Sequence, residues 1–139
     1  VKLFLFTNQS GVGRGMFTLG EVEACNERMI ELLGLGPRPF DAVCIATETP
    51  DEPPRYRKPS PRFIREMIER HGIDPRAAWM LGDSPVDWEA GLNAGIRTAA
   101  IVADPLAPKE PQRRQELGIA AFETVLDWLD AVWERPARG

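Results

Sequence analysis

Residues 77–103 read AAWMLGDSPVDWEAGLNAGIRTAAIVA, and this stretch decides the fold. Ala77–Leu81 is a short apolar run that Gly82 and Asp83 close, which predicts a strand. Pro85–Ala94 follows as a short helix, with Ser84 before it, proline at its first position and Gly95 as its stop. Thr98–Ala103 is a second apolar run. A strand, a brief helix and another strand in one stretch predict a parallel pair joined by a crossover.

Working outward, the same alternation recurs. Upstream, Ser60-Pro61 opens a helix whose apolar face is Phe63, Ile64, Met67, Ile68 and His71, ended by Gly72. Thr49–Pro59 holds four prolines and reads as a loop. Ala42–Thr47 is another strand. Thr18 and Glu21 have capping-box spacing ahead of Val22, Cys25, Met29, Leu32 and Leu33 at helical period, with Gly34 as the stop. Val1–Phe6 is a first strand. Downstream, Phe122, Val125, Leu126, Leu129, Val132 and Trp133 mark a C-terminal helix. The predicted class is α/β, a parallel sheet with helices on both faces.

Composition narrows the function. With 139 residues the chain has the size of one domain. Its 17 basic and 21 acidic residues give a net charge of −4, which disfavours a nucleic-acid backbone as partner. No apolar run approaches 18 residues, so no membrane span is expected. Two cysteines, Cys25 and Cys44, cannot build a disulfide framework, and a cytoplasmic setting is the expectation. Both read as small buried residues.

In parallel sheets ligands bind beyond the carboxyl ends of the strands, and three such ends are polar. Thr7-Asn8-Gln9-Ser10-Gly11-Val12-Gly13-Arg14-Gly15 offers a hydroxyl, amides and glycines that suit a phosphate, or else a turn satisfying its own backbone. Arg57-Lys58-Pro59 sets two cations before a capped helix, either for an anion or as solvated surface charge. Gly82-Asp83-Ser84-Pro85-Val86-Asp87 brings two carboxylates; Asp83 can ligate Mg²⁺, or Asp83 or Ser84 can act as a helix cap. Together they supply donors, a fixed cation and a metal carboxylate, the parts needed for phosphoryl transfer.

TNQSGVGRG after a strand, YRKP before a helix and GDSPVD after another strand resemble three motifs of the haloacid dehalogenase superfamily. More narrowly they resemble its histidinol-phosphatase and heptose-bisphosphate phosphatase branch. The resemblance runs from Val1 to about Ala103 and implies a Rossmann-like core. It implies that Thr7 and Asn8, with Gln9 beside them, hold the transferring phosphoryl group. It implies that Lys58 neutralises that group, that Arg57 contacts substrate, and that Asp83 ligates Mg²⁺ with Asp87 in support. Thr7, Lys58 and Asp83 are the expected catalytic set. The implied reaction is Mg²⁺-dependent hydrolysis of a small phosphorylated metabolite, of sugar-phosphate or histidinol-phosphate type, through an aspartyl-phosphate. The alternatives are a catalytically dead phosphometabolite-binding module and a polynucleotide end phosphatase.

The sequence departs from that pattern in three places. Members use an aspartate nucleophile in a D-x-D segment, and none occurs here. The strand carrying it is expected upstream of Val1, central between the strands at Val1–Phe6 and Ala77–Leu81. Residues 1–139 are thus expected to be one core domain, N-terminally truncated and without a large cap, prone to self-association at the unfilled position. Ser84 stands where the branch often has lysine. Finally, many members of the branch carry a zinc loop before RKP, but no Cys or His occurs from Ile45 to Pro59, and zinc is not expected.

Overall fold

The computed structural model describes residues 1–107 and 109–132. The chain falls into two compact units, Val1–Phe63 and Ile64–Gly139.

In the first unit, β1 (Phe4–Asn8) and β2 (Ala42–Ala46) pair in parallel, Phe4 opposite Ala42 through Asn8 opposite Ala46. Between them run a single-turn helix α1 (Ser10–Gly13) and the longer α2 (Leu19–Leu33). The α2 boundaries follow from local chemistry. The Thr18 side chain accepts the Glu21 N–H at 3.1 Å, and Gly34 ends the helix in the left-handed region at φ 64°. The Phe4 and Phe6 rings pack on Phe63, with centroids 6.4 and 5.0 Å away.

Two expectations change here. β1 starts later and runs further than Val1–Phe6, so Thr7 and Asn8 are its last residues rather than the loop after it. Its register is pinned by Asp41, whose carboxylate accepts the Leu3 N–H while its own N–H donates to the Leu3 carbonyl. The periodic face of α2 is also mostly uncovered. Val22 is buried, but Cys25 is exposed, contrary to its expected burial, and Leu32 is 71% exposed. Cys44 is half-buried. A two-stranded sheet of five-residue strands is about 17 Å long. A 15-residue helix is about 22 Å long, more than such a sheet can cover from end to end.

The second unit has a parallel sheet in the order β3 (Trp79–Gly82), β4 (Arg97–Ile101), β5 (Ala120–Phe122). α4 (Pro85–Asn93) crosses between β3 and β4 and packs on both. Trp88, Ala90, Ala99 and Ala100 are fully buried there, and Trp88 Nε1 donates to the Gly82 carbonyl at 2.8 Å. α3 (Arg62–His71) spans the division between the units; Phe63, Ile64 and Met67 of its predicted face are buried. α5 (Pro111–Leu117) and β5 were not anticipated, being too short to show a period; α6 (Val125–Val132) follows. Trp133, expected in that last helix, lies outside the described residues.

The parallel α/β character stands, but the strands form two sheets, not one. Within their own sheets β1 pairs with β2, and β4 with β3 and β5.

Candidate phosphate and metal sites

In the first unit, both strands end at one edge, and their last residues converge on residues 55–58. Lys58 is buried, 7% exposed. Its backbone N–H donates to Asn8 Oδ1 at 2.9 Å, and Asn8 Nδ2 donates back to the Lys58 carbonyl at 3.2 Å. Its ammonium donates to the Phe6 carbonyl at 2.9 Å and lies 5.0 Å from the Phe6 ring centroid. Leu3 and Gln9 point their ladder groups to the β2 side, so by alternation the Phe6 carbonyl points away from β2. Lys58 thus sits at the open edge of β1, and the Lys58–Pro59 peptide is cis.

The expected phosphate residues separate by task. Thr7 Oγ1 accepts from Gln9 Nε2 at 3.1 Å, a bond that does not use the hydroxyl proton. Asn8 uses both ends of its amide on the Lys58 peptide. Arg57 is half-buried, and its backbone N–H donates to Glu48. Glycine is required at 13, where a Cβ would run into the carbonyl of Thr47, the residue after β2.

Glu48 was missed in the sequence. Its Oε2 accepts the successive backbone N–H groups of Arg55, Tyr56 and Arg57 at 3.1, 3.0 and 2.8 Å. Burial pushes its carboxyl up, but these donors outweigh that and hold it below the ordinary glutamate value. The signal was its place just beyond a predicted strand, masked by the proline-rich run that follows.

In the second unit, Asp83 follows β3 and Asp87 lies in the first turn of α4. Asp87 is buried, and its Oδ2 accepts the Asp83 N–H, the Ser84 N–H and the Ser84 hydroxyl at 3.2, 3.2 and 3.0 Å. Ser84 is the helix cap, which absorbs that part of the motif. Gly82 is required because a Cβ there would meet the Asp87 carboxylate. Asp83 is the exposed member at the tip. Partial desolvation, then the Asp87 charge, with Asp104 adding, hold its carboxyl above the ordinary aspartate value. A carboxylate crowded by two others is relieved by a hard cation, so this oxygen set fits Mg²⁺. Among the described residues no three His, Cys, Asp or Glu side chains form a ready metal cluster.

A family model described as haloacid dehalogenase-like hydrolase matches residues 10–101. A D-glycero-beta-D-manno-heptose-1,7-bisphosphate 7-phosphatase of Helicobacter pylori strain J99 is 38% identical over 131 residues, covering 92% of this chain and 72% of that protein. The D-glycero-D-manno-heptose-1,7-bisphosphate 7-phosphatase of Chlorobaculum tepidum is 34% identical over 112 residues, 72% of this chain but 56% of its own length. The chain therefore spans between about half and three-quarters of these two relatives. In three dimensions it resembles the heptose 1,7-bisphosphate phosphatase of B. bronchiseptica solved with magnesium and phosphate. That match has TM-score 0.78 and 24% identity over 94% of this chain and 73% of the other, a likeness of fold.

Proposed function

The chain belongs to the haloacid dehalogenase-like hydrolase family, and on that premise we propose that it forms the core of a magnesium-dependent phosphatase for a small phosphorylated metabolite. A sugar phosphate is favoured over histidinol phosphate, because the curated relatives are named for a heptose bisphosphate. The observation that carries the proposal is the burial and two-sided tethering of Lys58 at the carboxyl end of β1. A lysine held in place at a strand end offers a preorganised positive charge to a bound anion.

In this reading Lys58 and the Thr7 hydroxyl bind the phosphoryl oxygens, and Arg57 contacts the rest of the substrate. Asn8 holds Lys58 in place, and Gln9 orients the Thr7 hydroxyl. Asp83 holds the magnesium ion, and Asp87 fixes the backbone that aims Asp83. The ion would supply positive charge and Lewis-acid chemistry to the reaction. Hydrolysis proceeds through an aspartyl-phosphate whose nucleophile belongs to a D-x-D segment, which residues 1–139 do not contain. Among the described residues no helix is long and apolar enough to cross a membrane.

The experiment, run on a protein that carries this core together with a D-x-D segment, is release of inorganic phosphate from a panel of sugar phosphates and histidinol phosphate, with and without magnesium. Magnesium-dependent release that favours a sugar phosphate is expected. Release indifferent to magnesium, or unchanged in Asp83→Asn, sinks the proposal.

A further inference from the structure

The loop 49–59 has no helix or strand to fix it and includes four prolines. Prolines donate no backbone hydrogen bond, so the loop must be fixed elsewhere. Two side chains fix its last part. Asn8, ending β1, holds the Lys58 peptide from one side. Glu48, two residues beyond β2, gathers the N–H groups of residues 55, 56 and 57 onto one oxygen. Four consecutive backbone positions leading to the Lys58 side chain are thus dictated by the ends of two paired strands. Three successive N–H groups on one anion form a nest, and the anion here belongs to the chain itself.

We propose that Glu48 is a positioning residue of the phosphate site, setting the backbone of residues 55–57 so that Lys58 is delivered to the bound phosphoryl group. The proposal rests on the reading of Lys58 as a phosphate ligand. Glu48 acts through Lys58 and touches no substrate. The charge on Glu48 matters as well as its shape, because hydrogen bonds to an ionised acceptor are about twice as strong as neutral ones. The lowered carboxyl pKa agrees, since the ionised form is the one being held. Glu48 also lines a cleft of about 310 Å³ with Thr47, Glu52, Pro53 and Arg55.

The test uses inorganic phosphate as ligand and four proteins: the parent, Glu48→Gln, Lys58→Ala and the double variant. Calorimetry gives phosphate affinity, and amide exchange follows residues 55–57. Glu48→Gln keeps the shape and removes the charge. It is expected to speed exchange at Arg55–Arg57, to weaken phosphate about tenfold, and to shift Tm by only a few degrees. If Glu48 acts through Lys58, adding Glu48→Gln to Lys58→Ala costs no further affinity. A merely structural role would give additive losses, and that result overturns the proposal. So does unchanged affinity in Glu48→Gln while Lys58→Ala loses it. If Lys58→Ala itself leaves phosphate affinity intact, the phosphate-site reading falls, and the role of Glu48 falls with it.

Discussion

Lys58 and Asp83 show how differently one residue can be legible. Lys58 was readable because a lysine before a proline and a helix cap matches a motif, and the structure buries it at a strand end. In the active enzyme, Lys58→Ala should lower turnover by about 10²–10³, the usual loss for one preorganised charge-stabilising donor. Lys58→Arg should not restore it, because a planar fork does not fit where a point charge is tethered. Turnover near normal in either variant refutes the role. The Asp83 carboxyl is held above its unfolded value, so the native state binds the proton more tightly than the unfolded chain does. Stability should therefore fall as pH rises through the window between the unfolded and folded values. Asp83→Asn should raise Tm at neutral pH without metal, and magnesium should raise Tm in the parent but not in the variant. A lower Tm for Asp83→Asn without metal would contradict this. The tasks of Asn8 and Glu48 were not legible, because each acts on backbone groups distant in sequence, which no local pattern encodes.

Among the elements, α4 was the most legible and α2 the least. α4 carries its own start and stop, Ser84-Pro85 and Gly95, and its buried face meets strands only a few residues away. α2 also has a clear start and stop, but whether its apolar period is covered depends on how wide the sheet beneath it is. Periodicity reports a face, not what it packs on. β5 escaped because three residues, Ala120–Phe122, are too few to alternate visibly. The central role of α4 gives a stability prediction. Trp88 is fully buried and its indole bonds the Gly82 carbonyl, so Trp88→Ala should cost about 3–5 kcal/mol in urea unfolding. The exposed end of α2 should be insensitive, with Leu32→Ala costing less than about 0.5 kcal/mol. Equal losses at the two sites would overturn this view of the core.

For the whole molecule, the division of the strands into two sheets matters most. β1 and β3 each have a ladder partner on one side only among the described residues. A strand edge with no ladder partner can recruit another strand. The 139-residue chain should therefore sediment above monomer mass at micromolar concentration, with the larger species lost on dilution. A monomer that unfolds in one cooperative step would show that these edges are protected. The Glu48 clasp has its own consequence for where such a protein can work. A loop tied by thiolates and a metal comes apart when a chelator takes the metal or an oxidant takes the sulfur. A loop tied by a carboxylate answers only to protons, and here the folded pKa lies below the unfolded one, so the tie holds at neutral pH and fails as pH drops beneath the ordinary glutamate range. Amide protection at Arg55–Arg57 should therefore survive EDTA and hydrogen peroxide alike and be lost in acid, leaving the lysine's delivery independent of metal supply and oxidative stress.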